Sequence, residues 1–103
     1  MSVEVFNNEN FEDEVIKSEG TVVVDFYANW CMPCKMMSLI IDEIAEEGIN
    51  SLKVGKVNVD NNQELAEKFG IMSIPTILIF KNGKLSKTFV GVTSKDEIKK
   101  VII

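Results

Sequence analysis

Strand-like and helix-like segments alternate from residue 3 to residue 70, and this alternation strongly limits the folds open to the chain. The run 21–27 is mostly β-branched and apolar, 52–59 alternates between apolar and other residues, and 3–6 is a short strand-like stretch. Segments at 7–18, 31–47 and 61–70 instead place apolar residues three and four positions apart, which is the spacing of an amphipathic helix. A β-α-β-α-β-α order predicts parallel strands joined by helical crossovers.

The pattern changes after Gly70. Two strand-like runs, 76–80 and 85–90, flank the pair Asn82-Gly83, which is a strong signal for a hairpin turn. Ser94 followed by Glu97 forms a capping box that begins a last helix. We therefore predict an α/β fold in one domain, residues 1–103, with a central mixed sheet of about five strands flanked by four helices on both faces.

The chain has two cysteines, Cys31 and Cys34, and both lie where the predicted strand 21–27 meets the helix 31–47. Backbone N–H groups and the positive end of the helix dipole at that junction favour thiolate over thiol. We expect Cys31 to be the reactive sulfur and Cys34, one turn later, to be the resolving thiol. Pro33 suits the first helical turn and stiffens the loop between the sulfurs.

Two other interpretations of the cysteine pair are weaker. Structural zinc needs four ligands, and the chain offers two Cys and no His, so no metal is expected. A bridge that closes so short a loop adds little stability. A redox dithiol is therefore the preferred interpretation.

Charge and composition exclude several classes of partner. The net charge of −5 argues against nucleic acid or an anionic membrane as a partner, and the absence of His removes the usual general base. The N-terminal residues do not resemble a signal peptide, and no apolar run approaches membrane-spanning length. We expect a protein of the reducing cytoplasm.

Asp25 interrupts the otherwise apolar run 21–27. Alternation places it on the same strand face as Val23 and Tyr27, and a central parallel strand is covered on both faces. A buried, poorly paired carboxylate has a raised pKa and can exchange protons near neutral pH. Asp25 is therefore a candidate proton acceptor, although a carboxylate at a strand end can also simply reach solvent.

Four motifs in order give the chain a family resemblance. Val24-Asp25-Phe26 precedes Trp30-Cys31-Met32-Pro33-Cys34-Lys35, and Ile74-Pro75-Thr76 and Phe80-Lys81-Asn82-Gly83 follow. Over nearly its full length the chain resembles the thioredoxin family, in a variant with Met32 where glycine is common. The family often has Pro where Leu39 stands and a second Trp at the position of Tyr27.

The resemblance implies a thioredoxin fold and a thiol-disulfide oxidoreductase that reduces protein disulfides. It implies no bound cofactor beyond a redox-active Cys31–Cys34 disulfide. Disulfide-containing proteins would be the substrates, and an NADPH- or ferredoxin-dependent thioredoxin reductase would recharge the dithiol. A monomer is expected.

The resemblance also suggests individual roles. Asp25 would assist deprotonation of Cys34, and Lys56 beside it would lower the pKa of Asp25, although a strand lysine can also be only a solvated charge. Pro75 would follow a cis bond, and the Ile74 backbone would pair with an extended substrate. The apolar patch around Cys31 would comprise Trp30, Met32, Pro33, Val59, Ile74, Pro75, Val90 and Gly91.

Two rival functions follow from the same residues. The dithiol could act in the opposite direction, as a disulfide-forming oxidant or isomerase, because residues between the cysteines tune the redox potential. Alternatively the apolar patch could hold a partner without redox turnover, although an intact cysteine pair argues against a simple binding module.

Overall fold

The computed structural model describes residues 2–103 and contains a five-stranded sheet of order β1-β3-β2-β4-β5. Strands β1, β3 and β2 are parallel, whereas β4 is antiparallel to β2 and β5 is antiparallel to β4. The predicted mixed sheet is therefore confirmed. The elements are β1 (Glu4–Val5), a π-helical segment (Glu12–Ile16), β2 (Thr21–Tyr27), α1 (Met32–Glu46), β3 (Leu52–Asn58), α2 (Gln63–Lys68), β4 (Thr76–Lys81), β5 (Lys84–Val90) and α3 (Lys95–Ile102).

The central strand β2 separates two apolar cores, because successive side chains of a strand point to opposite faces. One face packs against the π-helical segment and α2, and the other packs against α1 and α3. Val23 belongs to the second core, so Asp25, two residues later, also faces α1. The first core includes Val22, Val24, Phe26, Val15 and Leu65, and the second includes Val23, Met37, Ile41, Ile98 and Ile102.

Gly55 in β3 has a packing reason to be glycine. It pairs with Glu4 of β1 and Val24 of β2, and the ring of Phe6 occupies the space that a Cβ atom at this position would need. Glycine inside a strand often marks such a close approach. Phe6 itself is fully buried in the first core, so its ring anchors the edge strand β1 to the sheet.

The helix predicted at 7–18 is the main difference between expectation and structure. Asn7 Oδ1 does accept hydrogen bonds from the N–H groups of Glu9 and Asn10, so the chain turns there. The regular segment is nevertheless only Glu12–Ile16, and Lys17 N–H donates to the carbonyl of Glu12 in a wider π turn. Short helical segments depend on packing more than on their own hydrogen bonds, and here Phe11 and Val15 are both buried.

The other predicted ends are correct to within about two residues, a usual uncertainty for helix boundaries. Asn82 and Gly83 both have positive φ, at 50° and 80°, as a tight hairpin turn requires. Ser94 Oγ accepts from the N–H of Glu97 at 3.2 Å and caps α3. Asn62 precedes α2, but its side chain does not cap that helix and instead accepts from the N–H of Asn8.

Candidate active site

The two cysteines lie at the beginning of α1 and are joined by a disulfide. Cys31 is the N-cap residue, the Cα atoms are 5.2 Å apart, and the N–H of Cys34 donates to Cys31 Sγ at 3.2 Å. Pro33 occupies the first turn, where its missing N–H leaves no helical hydrogen bond unmade. After reduction, the same N–H group and the helix dipole would stabilise negative charge on Cys31.

A backbone edge lies directly beside the sulfur of Cys31. Cys31 Sγ is 3.9 Å from the carbonyl oxygen of Ile74, and the Ile74–Pro75 peptide bond is cis. The N–H of Gly91 donates to the carbonyl of Pro75 at 2.8 Å, which ties the end of β5 to this edge. Val59 and Ile74 pack against the small cluster formed by the two cysteines and Ala28.

The rim around the disulfide is apolar and exposed. Trp30 is 70% exposed, Met32 68% and Val90 67%, and Pro33 is also exposed. The indole N–H of Trp30 donates to Asp60 Oδ2 at 2.9 Å, which fixes the ring beside the sulfurs. The sequence alone did not identify Asp60 as the acceptor for this N–H, because the two residues lie 30 positions apart.

Behind the disulfide lies a cleft of about 200 Å³ that contains the predicted proton acceptor. Asp25 is 2% exposed, and its Oδ1 atom makes no hydrogen bond within residues 2–103. Burial raises the pKa of Asp25 to about 7, the charge of Lys56 opposes this rise, and the charge of Asp42 adds to it. The cleft is lined by Asp25, Tyr27, Ala28, Asn29, Cys34, Lys35, Ser38 and Lys56.

Lys56 lies next to Asp25 because the two residues are register partners in the parallel pair of β2 and β3. Its Nζ atom lies over the Tyr27 ring, 5.3 Å from the centroid. From this position the ammonium group lowers the pKa of Asp25. The ammonium group is itself stabilised by a cation–π contact with Tyr27, which also lines the cleft.

The structure therefore divides the predicted site residues into two groups on either side of the disulfide. Asp25, Lys56 and Cys34 share the inner cleft. On the other side, the exposed residues are Trp30, Met32, Pro33 and Val90, the half-buried residues are Val59, Ile74 and Gly91, and the buried residues are Cys31 and Pro75. Ser38 and Asn29 also line the cleft, although neither was a candidate site residue from the sequence. Ser38 had a detectable signal, because it follows Cys34 by four residues on a predicted helix and must lie on the same side.

Other features of the molecule lie away from this chemistry. A larger open cavity of about 610 Å³ is bordered by the loops that precede β2 and β3 and by Asn82, whereas Cys31 follows the opposite end of β2. Within residues 2–103, no cluster of three or more His, Cys, Asp or Glu side chains could hold a metal ion. None of the described helices combines the length and apolar character needed to cross a bilayer.

Comparisons with known proteins agree with this geometry. The family model described as Thioredoxin matches residues 2–103. The thioredoxin of Rickettsia bellii is 46% identical over 91 residues, which cover 88% of this chain and 87% of that protein. The thioredoxin of Pseudomonas aeruginosa is 44% identical over 89 residues, or 86% and 82% of the two chains. The thioredoxin of Porphyra purpurea is 43% identical over 102 residues, or 99% and 95%.

The chain that is similar to these thioredoxins thus combines three features. Cys31 caps a helix and forms a disulfide with Cys34, the surface around this disulfide is apolar and exposed, and a buried carboxyl group lies behind it. The redox group is the Cys31–Cys34 disulfide, and the family implies a reductase and disulfide-containing proteins as partners. The chain belongs to the thioredoxin family and is a thiol-disulfide oxidoreductase of the protein-disulfide reductase type.

Proposed function

We propose that Cys31 is the attacking residue and Cys34 the resolving residue in the reduction of protein disulfides. The observation that carries this assignment is the position of Cys31 as N-cap of α1, where its sulfur accepts the N–H of Cys34. Cys34 has the less accessible side chain and faces the inner cleft. The two sulfurs therefore have different environments, and only Cys31 adjoins the exposed rim.

In the first step, the Cys31 thiolate attacks one sulfur of a substrate disulfide. An S–S bond forms to Cys31, and the substrate S–S bond breaks with its electron pair on the leaving sulfur, which takes up a proton. In the second step, Cys34 loses its proton and attacks Cys31. The Cys31–Cys34 bond forms, the mixed disulfide breaks, and the second substrate thiol leaves.

Asp25 is the proposed acceptor of the proton that Cys34 releases. The support is its position in the same cleft as Cys34 and its pKa of about 7, which lets the carboxyl exchange protons near neutral pH. Lys56 is the proposed tuning residue, because its charge keeps the pKa of Asp25 from rising further.

The substrate is proposed to lie as an extended segment along residues 74–76. The Ile74 carbonyl is beside Cys31 Sγ, and the backbone of an extended peptide can pair with such an edge. Trp30, Met32 and Val90 then cover the substrate's apolar side chains. Methionine adapts its shape easily, which suits a surface that meets varied partners.

Trapping the mixed disulfide tests the cysteine roles. Cys34→Ser should accumulate a covalent complex with a disulfide-containing probe such as insulin, because the second step is blocked. Cys31→Ser, as the matched control, should form little complex. Trapping by Cys31→Ser alone would reverse the assignment, and equal trapping by both variants would contradict it.

The direction of the reaction is tested by the midpoint potential of the dithiol in graded thiol-disulfide buffers. The midpoint potential is about −270 mV for thioredoxin, about −180 mV for protein disulfide isomerase and about −120 mV for a strong oxidant. We expect a value near the first. A value near either of the others would favour the oxidant or isomerase function instead.

The proposed setting is a monomeric single domain, residues 1–103, that carries electrons from a thioredoxin reductase to protein substrates in the cytoplasm. Reducing conditions there keep a catalytic dithiol available. The test is re-reduction of the disulfide by an NADPH- or ferredoxin-dependent thioredoxin reductase, with sedimentation to measure the molecular mass. Failure with both reductases, or a stable dimer, would contradict this proposal.

A further inference from the structure

We propose that Ser38 is a positioning residue for the second step, whose hydroxyl holds the water through which the proton of Cys34 reaches Asp25. This inference rests on the proposed function, because it concerns the resolving step of that cycle. It assigns a role to a residue that neither the motif nor the proposed docking surface includes.

The first support is the placement of Ser38 on α1. It follows Cys34 by four residues, so the two side chains lie on the same side of the helix, one turn apart. Both side chains line the cleft that contains Asp25. Ser38 is half-buried, whereas Cys34 and Asp25 are buried, so among these three residues that line the cleft it is the one that solvent reaches.

The second support is the buried carboxyl oxygen. Asp25 is 2% exposed, and its Oδ1 finds no hydrogen-bond partner among residues 2–103. Buried polar atoms of this kind are normally satisfied by ordered water, which needs two to four polar partners. A cleft of about 200 Å³ has room for several waters, since each takes roughly 30 Å³.

The third support is the chemistry of a hydroxyl. Ser38 both donates and accepts hydrogen bonds, whereas the ammonium groups of Lys35 and Lys56 only donate. It can therefore accept from a water at the Cys34 thiol or donate to one at Asp25. Other titratable or charged groups that face this space are Tyr27 from β2, Lys56 from β3 and Lys35 from α1, and the charge of Asp42 also acts on Asp25.

The proton balance of the step is complete within the cleft. The Cys34 S–H gives its proton to the ordered water, which passes one proton to the Asp25 carboxylate. The electron pair left on Cys34 forms the bond to Cys31, and the bond from Cys31 to the substrate sulfur breaks with its pair on that sulfur. Asp25 later returns the proton to solvent through the mouth of the cleft.

Stopped-flow mixing of the reduced protein with a symmetrical aromatic disulfide tests the proposal. Each equivalent of the coloured thiolate product marks one step, the first for attack by Cys31 and the second for resolution by Cys34. The variants are Ser38→Ala, Ser38→Thr, which keeps the hydroxyl, and Ser86→Ala, which removes an exposed hydroxyl on β5 as a control. Alanine favours helix, so Ser38→Ala is expected to fold.

Ser38→Ala should slow the second phase about tenfold at pH 7 and leave the first unchanged, since a general base contributes roughly 10²–10⁴ and a positioning group only part of that. The deficit should shrink as the pH rises, because hydroxide ion can then take the thiol proton in place of the Asp25 route. Ser38→Thr should restore most of the rate, and Ser86→Ala should match the unaltered protein.

A second phase that stays within about twofold of the original in Ser38→Ala would overturn the role of Ser38, as would equal slowing of both phases. If the second phase is slow in Asp25→Asn but normal in Ser38→Ala, the role of Ser38 is overturned and the proposed function still stands. Absence of any first phase in the unaltered reduced protein would instead contradict the proposed function itself.

Discussion

Asp25 and Lys56 are direct register partners on the neighbouring parallel strands β2 and β3, on the side of the sheet that α1 covers. Burial raises the pKa of Asp25 to about 7, and the charge of Lys56 opposes that rise. The strand pairing thus places an acid and its modulator behind Cys34, inside the same cleft. Two predictions concern this pair.

Asp25→Asn should change how the stability of the oxidised protein depends on pH. The pKa of Asp25 is about 7 when folded and about 3.9 when unfolded, so the folded protein holds an extra proton between these values. The free energy of unfolding contributed by Asp25 therefore falls as pH rises through this window. The stability of Asp25→Asn relative to the unaltered protein should increase by about 4 kcal/mol from pH 4 to pH 8.

Denaturant unfolding at several pH values measures that difference. The Glu46→Gln variant is a matched control, because Glu46 is an exposed carboxylate on α1 and is not among the charges that shift the pKa of Asp25. A constant difference between Asp25→Asn and the unaltered protein across the pH range would mean that Asp25 has an ordinary pKa.

Lys56→Met should move the pH dependence of the resolving step to higher pH. Without the lysine charge, the pKa of Asp25 rises further, so a smaller fraction of the carboxyl is available to accept a proton at pH 7. The second phase of the stopped-flow reaction gives this profile. Lys84→Met removes an exposed cation on β5 and should leave the profile unchanged. If the second phase has the same pH dependence in both variants, Lys56 is only a solvated charge and does not tune Asp25.

Met37→Leu should loosen the loop between β5 and α3. The N–H of Thr93 donates to Met37 Sδ at 3.4 Å, and both residues are buried. Leucine fills a similar volume but accepts no hydrogen bond, so a buried N–H loses its partner at a cost of about 1–2 kcal/mol. Denaturant unfolding measures the loss, and amide exchange at Thr93 should accelerate. The exposed Met36→Leu is the control, and an equally small effect from both variants would show that the N–H···S contact contributes nothing.

Gly55→Ala should destabilise the fold, because the new methyl group overlaps the Phe6 ring. Overpacking of this kind typically costs about 1–3 kcal/mol. Phe6→Leu makes room at the same place, so the double variant should lose less stability than the sum of the two single variants. Thermal unfolding of the three variants gives the coupling, and strict additivity would contradict the proposed close approach.

Local patterns in the sequence were sufficient to predict the order of elements and the position of the dithiol. The β-branched run 21–27, the Asn82-Gly83 turn and the Ser94 cap each depend on neighbours within a few residues. The segment 7–18 was misjudged because its form depends on how Phe11 and Val15 pack against distant residues. No local pattern indicates that the side chain of Asn62 accepts from the N–H of Asn8, 54 residues away.

By itself, the sequence determined that Cys31 begins a helix immediately after a strand, because strand and helix signals are local. Only the tertiary structure decided which groups surround that cysteine. The register of β2 against β3 places Lys56 beside Asp25, and the rotation of α1 about its axis turns Ser38 into their cleft. The pairing of Trp30 with Asp60 likewise joins residues 30 positions apart. Such contacts arise from packing between elements, which no single stretch of the chain encodes.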